Sequence, residues 1–352
     1  MNATVSALAN TSPPCGARRS QPLPTAAQLR ARLPLSTSAC TSVQQGRAAI
    51  RAIMSGTDPR LLVITGPCSL HDSDSALDYA QRLAELSSQV GDRMLLVMRA
   101  YVEKPRTTIG WKGLLYDPQL DGSGDMAGGL ALSRRLMLDI AELGLPVATE
   151  LLQPLAAGYM EDVLSWAAIG ARTTESQIHR EMVSGLDLPV GFKNGTDGSV
   201  AIACDAMRSA ARSHQHLGVD DLGRSALIET LGNPDTHLVL RGGHAGPNYQ
   251  PESVATACAA LKALNIAPGL IIDCSHANSG KDPMCQPQVL ESVIAQRLAG
   301  QSELRGVMLE SHLFDGSQPM SAELRYGVSI TDGCLGWSAT EQLLLNAAER
   351  LR

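Results

Sequence analysis

From about residue 60 onward, short apolar runs alternate with longer stretches in which apolar residues recur at helical spacing. The runs are Leu61 to Thr65, Leu95 to Met98, Pro146 to Thr149, Ala167 to Ala171, Pro189 to Phe192, His237 to Leu240, Leu270 to Ile272 and Val307 to Leu309. Between the first two, Ala76, Leu77, Ala80, Leu83, Ala84 and Leu86 lie on one helical face, and Leu132, Leu136, Ile140 and Leu143 do the same ahead of the third. This alternation predicts repeated βα units and a parallel sheet. A doubly wound open sheet rarely needs eight strands. Its Gly-rich turn into the first helix is also missing, because Gly66 is followed by Pro67 and Cys68. The expected fold class is therefore α/β, a (β/α)8 TIM barrel with an N-terminal extension and a small inserted β-hairpin. Residues 1–25 read as a flexible tail, 26–58 as a helical extension with helices over Ala26 to Arg32 and Gln45 to Met54, and 59–352 as the barrel. The connection from Asn194 to Thr236 is too long for a bare helix, so the hairpin is expected near 212–226.

Composition narrows the class without changing the fold. The 352 residues are 44% hydrophobic, enough to bury one large core, and the formal net charge of -6 argues against a nucleic-acid or membrane-surface partner. Eight cysteines contain no C-x-x-C pair and are widely scattered, which reads as reduced thiols in a cytoplasmic protein. No stretch is apolar for long enough to span a bilayer, and no apolar signal core follows Met1. The first acidic residue is Asp58; the arginine-bearing segment before it has the composition of a transit peptide but is read as a tail.

The chemistry lies immediately after the apolar runs. There stand Cys68, Arg99, Glu150, Arg172, Lys193, Arg241, Asp273 with His276, and Glu310. In a barrel all strand ends open on one face, so these residues meet in one bowl. Arg99, Lys104, Arg106, Arg172, Lys193 and Arg241 would repel one another there unless polyanions bind, and phosphorylated substrates are implied. Lys104-Pro105-Arg106-Thr107-Thr108 adds hydroxyl donors and a proline-stiffened backbone that suit a phosphate grip. Cys68, His276, Glu310 and Asp332 form an adequate ligand list for a divalent transition metal, with Cys274, Cys334 and Asp273 as rivals that residue chemistry does not separate.

These residues sit within longer blocks: GPCSLHD at 66–72, MRAYVEKPRTTIGWKGL at 98–114, IGARTTESQIHRE at 169–181, PVGFKNGTDG at 189–198, LRGG at 240–243, DCSHANSGK at 273–281, ESHL at 310–313 and YGVSITDGCLGW at 326–337. Together the blocks resemble the type I 3-deoxy-D-arabino-heptulosonate 7-phosphate synthases, from about residue 45 to the end. The resemblance implies a (β/α)8 barrel that condenses phosphoenolpyruvate with erythrose 4-phosphate, the opening step of the shikimate pathway. It selects Cys68, His276, Glu310 and Asp332 as ligands of one divalent metal ion: Mn, Fe, Co or Zn. It implies a phosphoenolpyruvate site of Arg99, Arg172, Lys193 and Arg241 with the backbone of Gly170 and Ala171, and an erythrose 4-phosphate grip of Lys104, Arg106 and Thr107. Glu150 and Lys193 would position a water, and Lys104 would donate a proton to the developing alkoxide.

The resemblance also implies a homodimer or homotetramer inhibited by an aromatic amino acid at a site built from the extension and the hairpin. Those are the divergent parts. His216 and Gly218 stand where phenylalanine-sensitive members have an aromatic residue and a serine, Asp187 replaces a small residue, and His244-Ala245-Gly246 follows LRGG where a lysine is usual. An effector site is expected there with no inhibitor assigned. A barrel using arabinose 5-phosphate as acceptor, and a catalytically dead barrel, are the competing readings; the KPRTT segment and the intact ligand set speak against them.

Overall fold

The structure is a computed structural model and describes residues 20–351; most of the tail expected over 1–25 lies outside the described residues. Two helices come first, α1 (Ala26–Arg32) and α2 (Thr37–Ser55), followed by β1 (Leu61–Gly66), α3 (Ser73–Val90), β2 (Met94–Arg99), α4 (Met126–Glu142), β3 (Val147–Glu150), α5 (Pro154–Met160), β4 (Trp166–Ile169), α6 (Gln177–Ser184), β5 (Val190–Lys193) and α7 (Val200–Ala210). An antiparallel hairpin, β6 (Gln215–Val219) and β7 (Ser225–Glu229), interrupts the alternation. Then come β8 (Thr236–Leu240), α8 (Pro251–Ala263), β9 (Leu270–Asp273), α9 (Gln286–Leu298), β10 (Leu304–Glu310) and α10 (Trp337–Arg350). The eight strands other than the hairpin pair in parallel and close into a barrel in the order β1-β10-β9-β8-β5-β4-β3-β2. This is the (β/α)8 architecture the alternation predicts.

Successive side chains on a strand point to opposite faces, and the buried apolar residues sort accordingly. Leu62, Ile64, Val97, Ala148, Trp166, Ala168, Val239, Ile271 and Met308 pack with one another inside the barrel. Their neighbours Leu61, Val63, Leu96, Met98, Val147, Ala167, Val190 and Leu270 pack outward against the helices. Trp166 fills much of the interior. A Cβ at Gly191 would lie 2.6 Å from its ring, so only glycine fits that strand position. Burial pushes His237 down to about 3, and the resulting neutral ring accepts the Trp166 indole N–H at 2.9 Å.

Helix α2 closes the end of the barrel opposite the carboxyl ends of the strands, while α1 packs against α5. Ile50 and Ile53 of α2 join the interior cluster, and Gly46 and Met54 lie against Pro146, Ser165 and Gly269, which precede β3, β4 and β9. The helix starts eight residues earlier than its apolar period predicts. Ser36 caps it by accepting the Ala39 N–H, and Ala39 and Val43 bury one face of the added turns. The fourth strand ends at Ile169 rather than Ala171, because Gly170 already accepts hydrogen bonds from the turn that follows. The hairpin lies a few residues later than expected, over 215–229.

Arg134 on α4 ties the extension to the barrel's outer layer. Its side chain is fully buried, donates to the carbonyls of Leu33 and Tyr159, and forms a two-pronged pair with Asp162 at 2.6 and 2.8 Å. Replacing Arg134 by Met leaves those carbonyls unpaired and should cost about 3 kcal/mol, a fall in Tm of ~4 °C by circular dichroism. An unchanged Tm would remove Arg134 from this role.

Candidate active site

Each functional side chain occupies the end of a strand or the loop just beyond it, so closing the sheet also assembles the site. A cavity of about 290 Å³ opens at this end. Its lining includes Arg99, Lys104, Arg106, Thr107, Glu150, Gly170, Ala171, Arg172, Lys193, Arg241, His276 and Asp332. Twelve positions singled out in the sequence therefore border one cavity; Cys68 and Glu310 lie behind it, both buried.

The cations differ in how far the protein has already used them. Arg99 is buried, with its guanidinium 3.5 Å from the centroid of the Tyr101 ring. Its Nε donates to the Pro67 carbonyl at 3.1 Å, and Nη2 donates to the Cys68 carbonyl at 3.2 Å and to Glu310 at 2.9 Å. That leaves the two N–H groups of Nη1 for a ligand. Lys193 is buried and donates to Asp273 at 3.1 Å. Arg172 is exposed and has no hydrogen bond or ion pair among the described residues, while the backbone N–H of Arg241 is held by Asn194 at 2.8 Å. Arg106 is exposed on the KPRTT loop, where its Nε donates to the Trp111 carbonyl at 2.7 Å. The cavity is thus rimmed by cations whose charge is only partly balanced from within the chain, the arrangement an anionic ligand completes.

The thiol and carboxylates form a second group. Donor atoms of Cys68, Glu310 and Asp332 all lie within 4.8 Å of one another. Backbone bonds hold these loops together: Ser311 N–H donates to Gly66, Leu335 N–H to Glu310, and the Gln286 side chain both donates to and accepts from the Glu310 backbone. The Cys68 thiol is pushed up by burial and by Glu310, with Lys104 and Arg99 opposing. Burial would raise Glu310 too, but Arg99, His276 and Lys104 bring it below its ordinary value. A thiol and two carboxylates packed this closely suit a divalent cation, since its charge removes their mutual repulsion.

His276, the fourth expected ligand, stands apart from this group of three. A left-handed backbone, φ 56°, turns its ring so that Nδ1 lies 2.8 Å from Asp273 and 2.8 Å from the Ser275 hydroxyl. An imidazole beside a buried carboxylate is drawn to it, and Asp273 is held well below the carboxylate range: burial opposes this, but His276 and Lys193 outweigh it. Binding Nδ1 to a carboxylate leaves Nε2 as the nitrogen available to a metal, the usual outer support of a metal-binding histidine. The donor set therefore fits a metal with Asp273 behind the ligands rather than among them. Among the rival thiols, Cys274 packs in the layer between barrel and helices, while Cys334 accepts the Cys68 N–H at 3.4 Å.

Lys104 joins the two groups. Its ammonium donates to the Cys68 carbonyl and thiol, each at 3.1 Å. Burial works against the charge, yet Cys68 and Glu310 outweigh it and Lys104 is raised, so it remains protonated. Glu150 lies against Gly170, where a Cβ would approach the carboxylate to 2.4 Å. Sequence reasoning gave no role to Tyr101, Lys281, Thr196 or Thr331, although the last three line the cavity. All four fall within the quoted blocks, but what they touch depends on tertiary packing.

The sequence model of the DAHP synthetase I family matches residues 33–345. The chain is 51% identical over 327 residues to the Tyr-sensitive phospho-2-dehydro-3-deoxyheptonate aldolase of Escherichia coli K12, covering 92% of each chain. It is 51% identical over 323 residues to the Trp-sensitive enzyme of Enterobacter agglomerans, covering 91% of this chain and 92% of that one. The solved phospho-2-dehydro-3-deoxyheptonate aldolase of Francisella tularensis SCHU S4 superposes with a TM-score of 0.93 at 41% identity, covering 96% of this chain and 98% of that one.

The support given by Asp273 is open to measurement. Changing Asp273 to Asn frees the His276 ring and should weaken manganese binding about 10- to 100-fold in titration calorimetry. Wild-type affinity in that variant would show that Asp273 does not act through His276.

Proposed function

The chain belongs to the DAHP synthetase I family, and we propose that it joins phosphoenolpyruvate to erythrose 4-phosphate, with water, to give 3-deoxy-D-arabino-heptulosonate 7-phosphate and inorganic phosphate. The observation that carries this reading is one cavity bordered at once by the Arg99–Arg172–Lys193–Arg241 cations, the KPRTT loop and Asp332, with Cys68 and Glu310 of the thiol–carboxylate group close behind Asp332. One polyanion meets the first set, and a second phosphate reaches the loop.

Arg172, Arg241, Lys193 and the free Nη1 of Arg99 hold phosphoenolpyruvate, with the backbone at Gly170 and Ala171 beneath it. Lys104, Arg106 and Thr107 hold the erythrose 4-phosphate end. A divalent cation, Mn, Fe, Co or Zn, held by Cys68, His276, Glu310 and Asp332 supplies Lewis acidity at the acceptor aldehyde when bound. The π pair of the phosphoenolpyruvate double bond forms the new bond from C3 to the aldehyde carbon. Lys104, kept protonated by its neighbours, gives its proton to the oxygen that becomes an alcohol. The electron-deficient C2 then takes a water positioned by Glu150 and Lys193. Glu150 takes one proton from that water, which restores the proton lost by Lys104; as the C2–O bond to phosphorus breaks, the second proton goes to the departing phosphate and the ketone forms. Arg172 and Arg241 balance the phosphate charge throughout.

Relatives named Tyr-sensitive and Trp-sensitive support an aromatic amino acid as effector. In this chain the expected effector region carries a half-buried His216 on β6, and an Asp187 whose carboxylate is paired with Arg51 at 2.7 Å.

Steady-state kinetics test both proposals. Changing Arg106 to Ala should raise the KM for erythrose 4-phosphate ~10-fold or more while moving that for phosphoenolpyruvate little, as loss of one charge-assisted contact predicts; equal rises would take Arg106 out of the grip. Adding phenylalanine, tyrosine or tryptophan singly should slow turnover for at least one of them, and no response to any would end the effector proposal.

A further inference from the structure

Glu103 is a buried carboxyl next to the proposed proton donor, and the chemistry above does not use it. It stands at the root of the loop carrying Lys104, Arg106 and Thr107. The base of that loop is closed by Leu115 N–H donating to Val102 at 3.1 Å and Lys104 N–H donating to Lys112 at 2.8 Å. The Glu103 carboxyl joins two other segments. Its Oε2 accepts the N–H groups of Leu152 and Gln153 at 3.2 and 3.3 Å, and its Oε1 accepts the Tyr116 hydroxyl at 3.2 Å. Leu152 and Gln153 are two and three residues beyond Glu150, and Leu152 itself lines the cavity. A single side chain thus fastens the root of the acceptor loop to the turn that carries the proposed water-positioning carboxylate.

We propose that Glu103 is a positioning residue for erythrose 4-phosphate, its ionised carboxylate setting the KPRTT loop against the Glu150 turn so that the grip and the reacting centre keep their spacing. The inference rests on the function proposed above and adds a residue and a pH dependence to it. An ionised carboxylate accepts all three hydrogen bonds strongly; a protonated one loses acceptor strength, and its own hydrogen must find a partner.

Burial raises Glu103 to about 7, with Glu150 adding to the rise and the Gln153, Leu152 and Tyr116 contacts opposing it. Among the described residues, the titratable groups that act on it most are the Tyr116 hydroxyl, which burial and Glu103 together raise, and Glu150. Farther out, Lys112 lies 5.9 Å from the Tyr116 ring, and His179 bonds the Leu152 carbonyl at 2.8 Å from the other side. The raised value gives the sign. Above pH 7 the carboxylate is ionised and the loop is set; as pH falls through 7 it protonates and the grip on erythrose 4-phosphate loosens.

The test is the pH dependence of both KM values for wild type, Glu103→Gln and Tyr116→Phe, from pH 6 to 8.5. Glutamine mimics the protonated acid. At pH 8.5 Glu103→Gln should show a KM for erythrose 4-phosphate about fivefold above wild type, the difference between a charged and a neutral acceptor. Its phosphoenolpyruvate KM should stay within about twofold, and the two proteins should converge near pH 6. Substrate phosphate titration is common to both and cancels. Tyr116→Phe should shift the same KM in the same direction, by less. Equal change in both KM values, or a Glu103→Gln profile parallel to wild type at all pH values, would overturn the inference. A wild-type enzyme with no turnover on these substrates would instead overturn the function on which it rests.

Discussion

Charge buried at the carboxyl ends of the barrel strands is the constraint on which the rest of this molecule depends. Arg99, Lys193, Asp273 and Glu310 all sit at strand ends with almost no exposure, and an unpaired charge in such a place is costly. Two pairs meet this cost, Arg99 with Glu310 and Lys193 with Asp273. Each is shared onward: Arg99 also holds the Pro67 and Cys68 carbonyls, and Asp273 also holds His276. The cationic half of the cavity and its thiol–carboxylate half are therefore one network, so a change in either is felt by the other.

Rigidity for that network comes from below. Trp166 and the aliphatic side chains fill the barrel, and α2 seats Ile50 and Ile53 against the same cluster. Two polar side chains meet this interior: His237, which burial keeps neutral and which accepts the Trp166 indole N–H, and Tyr101, whose hydroxyl has no partner among the described residues. The Tyr101 ring lies under the Arg99 guanidinium, so its packing with the interior carries support upward to a cation of the cavity.

Much of this was legible in the chain. Strand positions followed from apolar runs because both faces of a barrel strand are buried, which makes the runs continuous, and the charged residue ending each run marked the bowl. The start of α2 was not legible, because its first turns are held by a serine cap and by two small buried residues rather than by an apolar stripe. Residue chemistry left Cys68, His276, Glu310 and Asp332 beside the rivals Cys274, Cys334 and Asp273, and only the resemblance chose among them; that Cys274 faces the helices whereas Cys68 lies beside Glu310 and Asp332 depends on strand register and loop path, which a one-residue shift would reverse. Likewise Asp273 reads in sequence as a rival ligand; only geometry shows it behind His276 and Lys193. Glu103 gave no sequence signal, since its partners are mainly backbone N–H groups fifty residues away in the chain.

The most direct test of the account is phosphate release by chelator-treated protein given phosphoenolpyruvate with either erythrose 4-phosphate or arabinose 5-phosphate, with and without manganese. The account predicts release that requires both erythrose 4-phosphate and the metal. Release dependent on arabinose 5-phosphate would contradict the assigned acceptor, and no release under any condition would contradict the proposed catalysis itself.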